Sequence, residues 1–185
     1  MPGTIKTAAG TAAALTLILI FLNRWHPAGV LFSLAVTFGT ISYHLLVRLL
    51  IGACFDRLMQ NRADVHAAWY QPKSWEQPLY EKLRVRKWKL RMPAYQPELF
   101  DPGQRTWDEI AQAMCQSELV HETIIIASFL PLFASIRFGA FSVFLITSVA
   151  AALFDLTFVI MQRYNRPRVV RIAERERKRN ARREK

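Results

Sequence analysis

The residues with the clearest capacity for chemistry follow the last apolar run, in Gln162-Arg163-Tyr164-Asn165-Arg166-Pro167-Arg168. Anchoring a helix end at a membrane surface needs one or two basic residues, and the donors here exceed that need. Arginines at this density bind phosphate or carboxylate groups. The stretch therefore predicts an anion-binding site that includes Arg163, Asn165, Arg166 and Arg168. The alternative is a positive-inside stop signal with an interfacial tyrosine.

Glu118 and His121 form a second candidate site, because residues three positions apart are neighbours on one face of a helix. A histidine at a membrane–water boundary takes a proton from a hydroxyl, and a nearby carboxylate orients the ring and stabilises its cation. The pair predicts a general base, His121, with an orienting acid, Glu118. The alternative is a helix-surface pair worth roughly a few tenths of a kcal/mol, and the spacing alone favours that alternative.

A third candidate lies in the basic segment 82–91, where Lys87, Trp88 and Lys89 form the densest part. One interpretation is a polybasic patch on anionic lipid, worth about 1 kcal/mol per basic residue. The other is a binding site for a phosphorylated or anionic donor, with Lys87, Trp88 and Lys89 as ligands. Nucleic acid is a weaker interpretation, because basic residues beside apolar runs already have a membrane explanation.

The composition of the chain indicates a membrane protein. Its 185 residues carry a formal charge of +11, and 52% of them are hydrophobic. The apolar residues are gathered into long runs and the charges lie elsewhere, which is typical of membrane-spanning helices. Cys54 and Cys115 give no disulfide framework and no metal-ligand spacing, so we expect no metal site.

These features predict an all-α integral membrane protein of one domain, 1–185, with about four transmembrane helices. The predicted spans are 8–22, 28–55, 119–136 and 140–161, with a polar interfacial segment at 56–117 and a basic C-terminal helix or tail at 163–185. The first run is interpreted as a retained short span, although a cleaved signal peptide, with Lys6 as a weak basic region, is the alternative. We expect a turn at Arg166, since proline disfavours the helical conformation of the preceding residue.

Polar residues inside the predicted spans indicate how these helices pack. Thr40, His44 and Arg48 recur every four residues on one helical face, and Asp155 is the one charge in the last span. Ionisable residues in a span face the protein interior or a water-filled cavity, so we expect this face to look at the other helices. Thr106 with an acid three positions later predicts the start of the third long helix.

The distribution of basic residues predicts the orientation. Four spans put the N-terminus, segment 56–117 and the C-terminus on one side of the membrane, and basic residues concentrate there. That side is expected to be cytoplasmic. The histidine–carboxylate pair, the basic segment and the arginine-rich stretch then converge on one membrane–water boundary. Transfer of a group between lipid-like molecules is the chemistry that fits, and it is direct because no nucleophile motif is evident.

Three motifs occur in order in the chain: Val85-Arg86-Lys87-Trp88-Lys89, Ser117-Glu118-Leu119-Val120-His121, and the arginine-rich stretch 162–168. Together they resemble the glycosyl-4,4'-diaponeurosporenoate acyltransferase family of bacterial membrane proteins, over roughly 74–171. The resemblance implies esterification of a fatty acid to a sugar hydroxyl of a glycosylated carotenoid. It supplies no established catalytic residues.

The resemblance also implies the partners. We expect a bacterial cell membrane, a glycosylated carotenoid or glycolipid acceptor, no bound cofactor, and acyl-CoA or an acyl-carrier protein as the acyl donor. Membrane lipids are expected partners and nucleic acid is not. The alternative function is a non-catalytic membrane subunit that recruits a lipid- or carotenoid-modifying enzyme. A different lipid-modifying transferase, such as a small helical methyltransferase, is a weaker alternative.

Overall fold

The structure is a computed structural model that describes residues 2–88, 92 and 96–183. The described residues form helices and contain no strand, which confirms the predicted all-α class. They make two compact units. The first is built from the chain up to Cys54 and from Thr123–Asp155, and the second from Phe55–Glu122 and from Leu156 onward.

Long apolar runs determine the major helices, since each hides its backbone polar groups in its own hydrogen bonds. Within the described residues, four helical stretches are long and apolar enough to cross a membrane, as predicted: Gly3–Trp25, Gly29–Leu58, Trp107–Phe138 and Phe141–Arg183. The α-helices are α1 (Pro2–Trp25), α2 (Gly29–Leu58), α3 (Glu76–Lys82), α4 (Val85–Trp88), α5 (Trp107–Ala127), α6 (Pro131–Phe138) and α7 (Phe141–Arg183), with 3-10 turns at Ala68–Tyr70 and Pro97–Phe100.

In the first unit, the polar face of α2 packs as the sequence predicts. Thr40 and His44 are buried. Arg48 forms an ion pair with the fully buried Asp155 of α7 and also donates to the Ala151 carbonyl at 3.4 Å. A charge in this apolar setting is stabilised only by a partner of opposite sign. The expectation that this face looks at other helices is confirmed.

In the second unit, α5 begins with the predicted cap. The Glu109 amide donates to Thr106 Oγ1 at 3.2 Å, and the Thr106 amide donates to Glu109 Oε2 at 2.8 Å. This reciprocal pair satisfies backbone donors that have no partner inside the helix. The next turns of α5 bury Ile110, Met114 and Cys115, so this helix forms much of the unit's apolar core.

Pro131 lies at the start of a helix and Pro167 within one, and the path of the chain at Pro167 departs from the prediction. The expected turn at Arg166 is wrong, because α7 continues through Pro167 to Arg183. Arg166 is held in its helical position by bonds to a carboxylate and a carbonyl, which offset the cost of the proline. The stretch Trp107–Phe138, which contains the predicted span 119–136, has a turn between Ala127 and Pro131, and α6 begins at Pro131, whose missing N–H is tolerated in the first turn of a helix.

Candidate active site

Two arginines of α7 and two glutamates form a buried ion cluster in the second unit. Arg163 Nη1 donates to Glu118 Oε1 at 2.6 Å, and its Nη2 donates to Glu76 Oε1 at 2.6 Å. Arg166 Nη1 donates to the second oxygen of Glu118. Glu118 is fully buried and Glu76 is 2% exposed. The two positive and two negative charges balance, as burial requires.

The same arginines hold the segment that precedes α3. Arg163 donates to the carbonyls of Trp69 and Gln71, each at 3.3 Å, and Arg166 donates to the carbonyl of Tyr70. The Arg166 guanidinium also lies over the Tyr70 ring, 5.0 Å from its centroid. Three consecutive carbonyls are thereby fixed by one face of α7. The cluster, here called the arginine–glutamate cluster, therefore sets the conformation of this loop.

A cleft of about 620 Å³ lies beside the arginine–glutamate cluster. Its floor contains the buried Tyr70, Glu76, Tyr80 and Arg166. Its rim is polar and exposed, and the rim residues that matter below are His66, Lys73, Gln77, Arg168 and Arg171. Concave sites with a few convergent polar groups over an aromatic wall are typical of ligand binding.

The electrostatics of the floor favour hydrogen bonding over anion binding. Tyr80 donates its phenol proton to Glu76 Oε2 at 3.0 Å, and burial together with the Glu76 charge raises the pKa of Tyr80. Burial, with smaller contributions from neighbouring charges, raises the pKa of Tyr70 to about 12. Both phenols therefore keep their protons at neutral pH. The positive charges of the floor are already neutralised by carboxylates, whereas Arg168 and Arg171 at the rim have no carboxylate partner among the described ion pairs.

The predicted site residues separate into groups. Glu118, Arg163 and Arg166 meet in the arginine–glutamate cluster. Arg168 lines the cleft rim, where it donates to Tyr164 Oη at 3.0 Å and lies over that ring. His121 is half-buried, and its ring stacks on Phe158 with centroids 4.5 Å apart and an angle of 6°.

The other predicted residues are not among the described residues that line the cleft. Lys87 is exposed on α4, and the half-buried Trp88 donates its indole N–H to the Leu83 carbonyl at 3.1 Å. Asn165 is half-buried on α7. His121 also is not among the described residues that line the cleft. Lys89 lies outside the residues that the structure describes.

Sequence reasoning missed much of the floor. Glu76 and Tyr80 are four residues apart on α3, a spacing that indicates a shared helical face. That signal existed, but α3 is short and polar and carries no apolar periodicity. Tyr70 of the floor and His66 and Lys73 of the rim belong to a segment without an α-helix, where spacing predicts no contact. Their position depends on the carbonyl bonds to α7.

The chain matches a sequence model of one protein family over residues 66–175, and that family is described as glycosyl-4,4'-diaponeurosporenoate acyltransferase. The match covers more than half of the 185 residues. It includes both arginines and both glutamates of the arginine–glutamate cluster and the cleft lining apart from Val65. Comparisons with curated proteins and with solved structures find no significant match.

Proposed function

We propose that the chain, which belongs to the glycosyl-4,4'-diaponeurosporenoate acyltransferase family, transfers a fatty acyl group to a sugar hydroxyl of a glycosylated carotenoid or a related glycolipid. The observation that carries the proposal is the coincidence of two regions. The family match spans 66–175, and the cleft is built from residues between 65 and 174. We infer from this overlap that the cleft is the site of the proposed reaction.

The proposed reaction is direct transfer from a thioester donor, either acyl-CoA or an acyl-carrier protein. The sugar hydroxyl oxygen forms a bond to the acyl carbonyl carbon, and the carbon–sulfur bond breaks. The hydroxyl proton passes to a basic group of the protein and then to the departing thiolate, so that the products are an ester and a thiol. Hydrogen-bond donors near the carbonyl oxygen stabilise the negative charge that develops there.

The floor of the cleft supports a sugar acceptor. A sugar offers hydroxyls that both donate and accept, and an apolar ring face. Glu76 and the phenol oxygen of Tyr80, whose proton goes to Glu76, accept, the phenol of Tyr70 donates, and the two rings supply flat apolar surface. An acceptor bound by these groups would present its hydroxyl to the donor inside the cleft.

His121 is the proposed proton acceptor, with Glu118 orienting it; since His121 is not among the described residues that line the cleft, this role requires the acceptor's hydroxyl to extend beyond that lining. Its ring plane is fixed by stacking on Phe158. His66 is the competing candidate, because it lines the rim of the cleft. Glu118 has a structural role as well, since it pairs with both arginines. The donor is proposed to contact Arg168 at the rim, with Lys87, Trp88, Lys89 and Asn165 as further donor-binding residues.

The proposed setting is the bacterial cell membrane, with both termini in the cytoplasm. Four helical stretches of sufficient length and apolarity support a multi-pass protein. The orientation rests on the excess of Lys and Arg in segment 56–117 and in the tail.

The test is mass spectrometry of lipids and pigments from cells with and without the chain, beside a pathway that makes a glycosylated carotenoid. The expected result is a new mass equal to the glycoside plus a fatty acyl group. An unchanged profile with confirmed membrane insertion would contradict the carotenoid acceptor. Acylation of another glycolipid in the native host would then name the acceptor class.

Histidine variants then test the mechanism. His121→Gln is expected to abolish ester formation in a folded, inserted protein. His66→Gln is the competing variant, and His26→Gln is the matched control because His26 is exposed and outside the family match. Full activity of His121→Gln would refute its role. Purified protein that is inactive with acyl-CoA and with an acyl-carrier protein as donors, and that becomes active only with a further protein, would instead support the recruiting-subunit alternative.

A further inference from the structure

The exposed side of α7 carries a continuous column of basic residues beyond the arginine–glutamate cluster. At 100° per residue, its members fall within an arc of about 140° around the helix axis. Ile172 is the apolar residue inside that arc. This column, here called the basic stripe, consists of Arg168, Arg171, Arg175, Lys178, Arg179, Arg182 and Arg183.

The basic stripe points away from the packed side of the unit. All of its side chains are exposed. On the opposite side of the helix, Ala173 is 3% exposed, and Arg177 donates to the two carboxylate oxygens of Asp108 at 2.6 and 2.7 Å. These contacts hold the helix against α5 and fix its rotation. The stripe is therefore a solvent-exposed surface with a fixed orientation on its unit.

The basic stripe is continuous with the cleft. Arg168 and Arg171 line the cleft rim and are also the first members of the stripe. From Arg171 the stripe continues for about 18 Å along the helix to Arg183, at 1.5 Å per residue. A macromolecule bound along the stripe would have one end at the mouth of the cleft.

The composition of the stripe favours a protein partner over a bilayer. Anionic lipid attracts basic residues by about 1 kcal/mol each, but a helix that inserts into the interface also needs an apolar face beside its charges, and this arc offers Ile172 alone. An acidic protein surface needs only complementary charge, which also speeds and orients the encounter. The proposed reaction supplies such a partner, because one class of thioester donor is an acidic protein that carries its acyl chain on a phosphopantetheine arm.

We propose that the basic stripe docks an acidic acyl-carrier protein and thereby delivers its acyl-phosphopantetheine arm to the cleft. The inference rests on the proposed acyl transfer and selects between its two thioester donors. The carrier's carbon–sulfur bond breaks, the acceptor oxygen takes the acyl carbon, and the acceptor's proton ends on the carrier thiol. The arm's phosphate meets Arg168, Arg171 and Lys73 at the rim.

The experiment compares three donors with the purified full chain in neutral nanodiscs: acyl-carrier protein, acyl-CoA and acyl-phosphopantetheine without the protein. The test variant is Arg175→Glu/Arg182→Glu. The matched control is Arg57→Glu/Arg62→Glu, which reverses the same number of exposed charges outside the stripe and outside the basic segment 82–91. We expect the test variant to raise the KM for the carrier protein about tenfold with kcat retained, since charges at the edge of a protein–protein interface act mainly on the rate of association. The KM for acyl-phosphopantetheine should not change.

Direct binding of the carrier protein to the immobilised nanodiscs is measured in parallel, so that the inference is tested even without turnover. Wild-type-like binding by the test variant would overturn the inference. Acylation from acyl-CoA alone would overturn it while leaving the proposed function intact, whereas carrier binding without acylation from any donor would count against the proposed function only. If the nanodiscs with the test variant no longer bind phosphatidylglycerol vesicles but still bind the carrier protein, the inference is overturned and the stripe is assigned to the membrane surface.

Discussion

Replacing Glu118 by Gln separates the two roles assigned to this residue. The carboxylate is fully buried and accepts from both Arg163 and Arg166. Glutamine keeps the shape of the side chain but removes the charge. Arg163 keeps its second carboxylate, Glu76, at 2.6 Å, whereas Arg166, whose side chain is 3% exposed, has no other carboxylate among its described ion pairs. The main loss should therefore fall on Arg166.

The size of the effect follows from the burial of the partners. Removing one member of a buried ion pair costs about 3–5 kcal/mol, because the remaining charge is left uncompensated. The amide oxygen of glutamine still accepts one hydrogen bond, which places the expected loss near the lower limit, about 3 kcal/mol. For a chain of this length, such a loss corresponds to a decrease in Tm of roughly 6–12 °C.

Cys115 provides a local probe of this loss. It is fully buried, one turn before Glu118 on α5, and Cys54 is exposed. In a Cys54→Ser background, the temperature at which a thiol-reactive dye labels Cys115 reports the unfolding of the second unit. Glu122→Gln is the control. The one hydrogen bond described for the Glu122 side chain comes from the Trp69 indole at 3.0 Å, so this substitution should cost about 1 kcal/mol. A wild-type labelling temperature combined with lost ester formation would refute the structural role and support orientation of His121.

Three further predictions follow from single contacts. Tyr70→Phe should lose less stability than the wild type as the pH rises above 10. A tyrosine whose pKa is raised to about 12 stabilises the fold below pH 10 and loses that contribution as pH rises through 12. Melting temperatures of both proteins, read by tryptophan fluorescence at pH 8 and 11, check it. Pro167→Ala should raise Tm, because proline inside α7 costs about 3 kcal/mol relative to alanine, partly offset here by packing; an unchanged Tm would contradict this. Asp155→Leu should destabilise the first unit by about 3–5 kcal/mol, and adding Arg48→Met should restore most of it, as read by resistance to protease.

The features that depend on neighbouring residues could be predicted from the sequence. Apolar run length sets where a helix crosses a membrane, and four such stretches are present. The Thr106 cap depends on an acid three positions later, and the reciprocal bonds with Glu109 are present. The buried face around Arg48 follows from helical periodicity and the cost of an unpaired charge in an apolar setting.

The site depends on contacts between distant segments, which spacing does not encode. Glu118 has a histidine neighbour at i+3, and nothing local shows that Arg163 and Arg166 approach it from α7. Glu76 lies in a short polar helix that gives no periodic signal. The path of α7 through Pro167 depends on those same contacts, because they repay the lost backbone bond.

The continuous helix also explains why one arginine-rich motif serves two purposes. With a turn at Arg166, all of its arginines would be equivalent surface donors, as the sequence suggested. On an unbroken helix, Arg168 is rotated from Arg166 by about 200°, so the two face opposite sides. Arg163 and Arg166 then enter the protein and are neutralised by Glu76 and Glu118, while Arg168 emerges at the cleft rim and begins the basic stripe. The spacing of the motif therefore gives its two halves different roles. Arg163 and Arg166 fix the loop that forms the cleft floor, and Arg168 remains as a cation for a negatively charged donor.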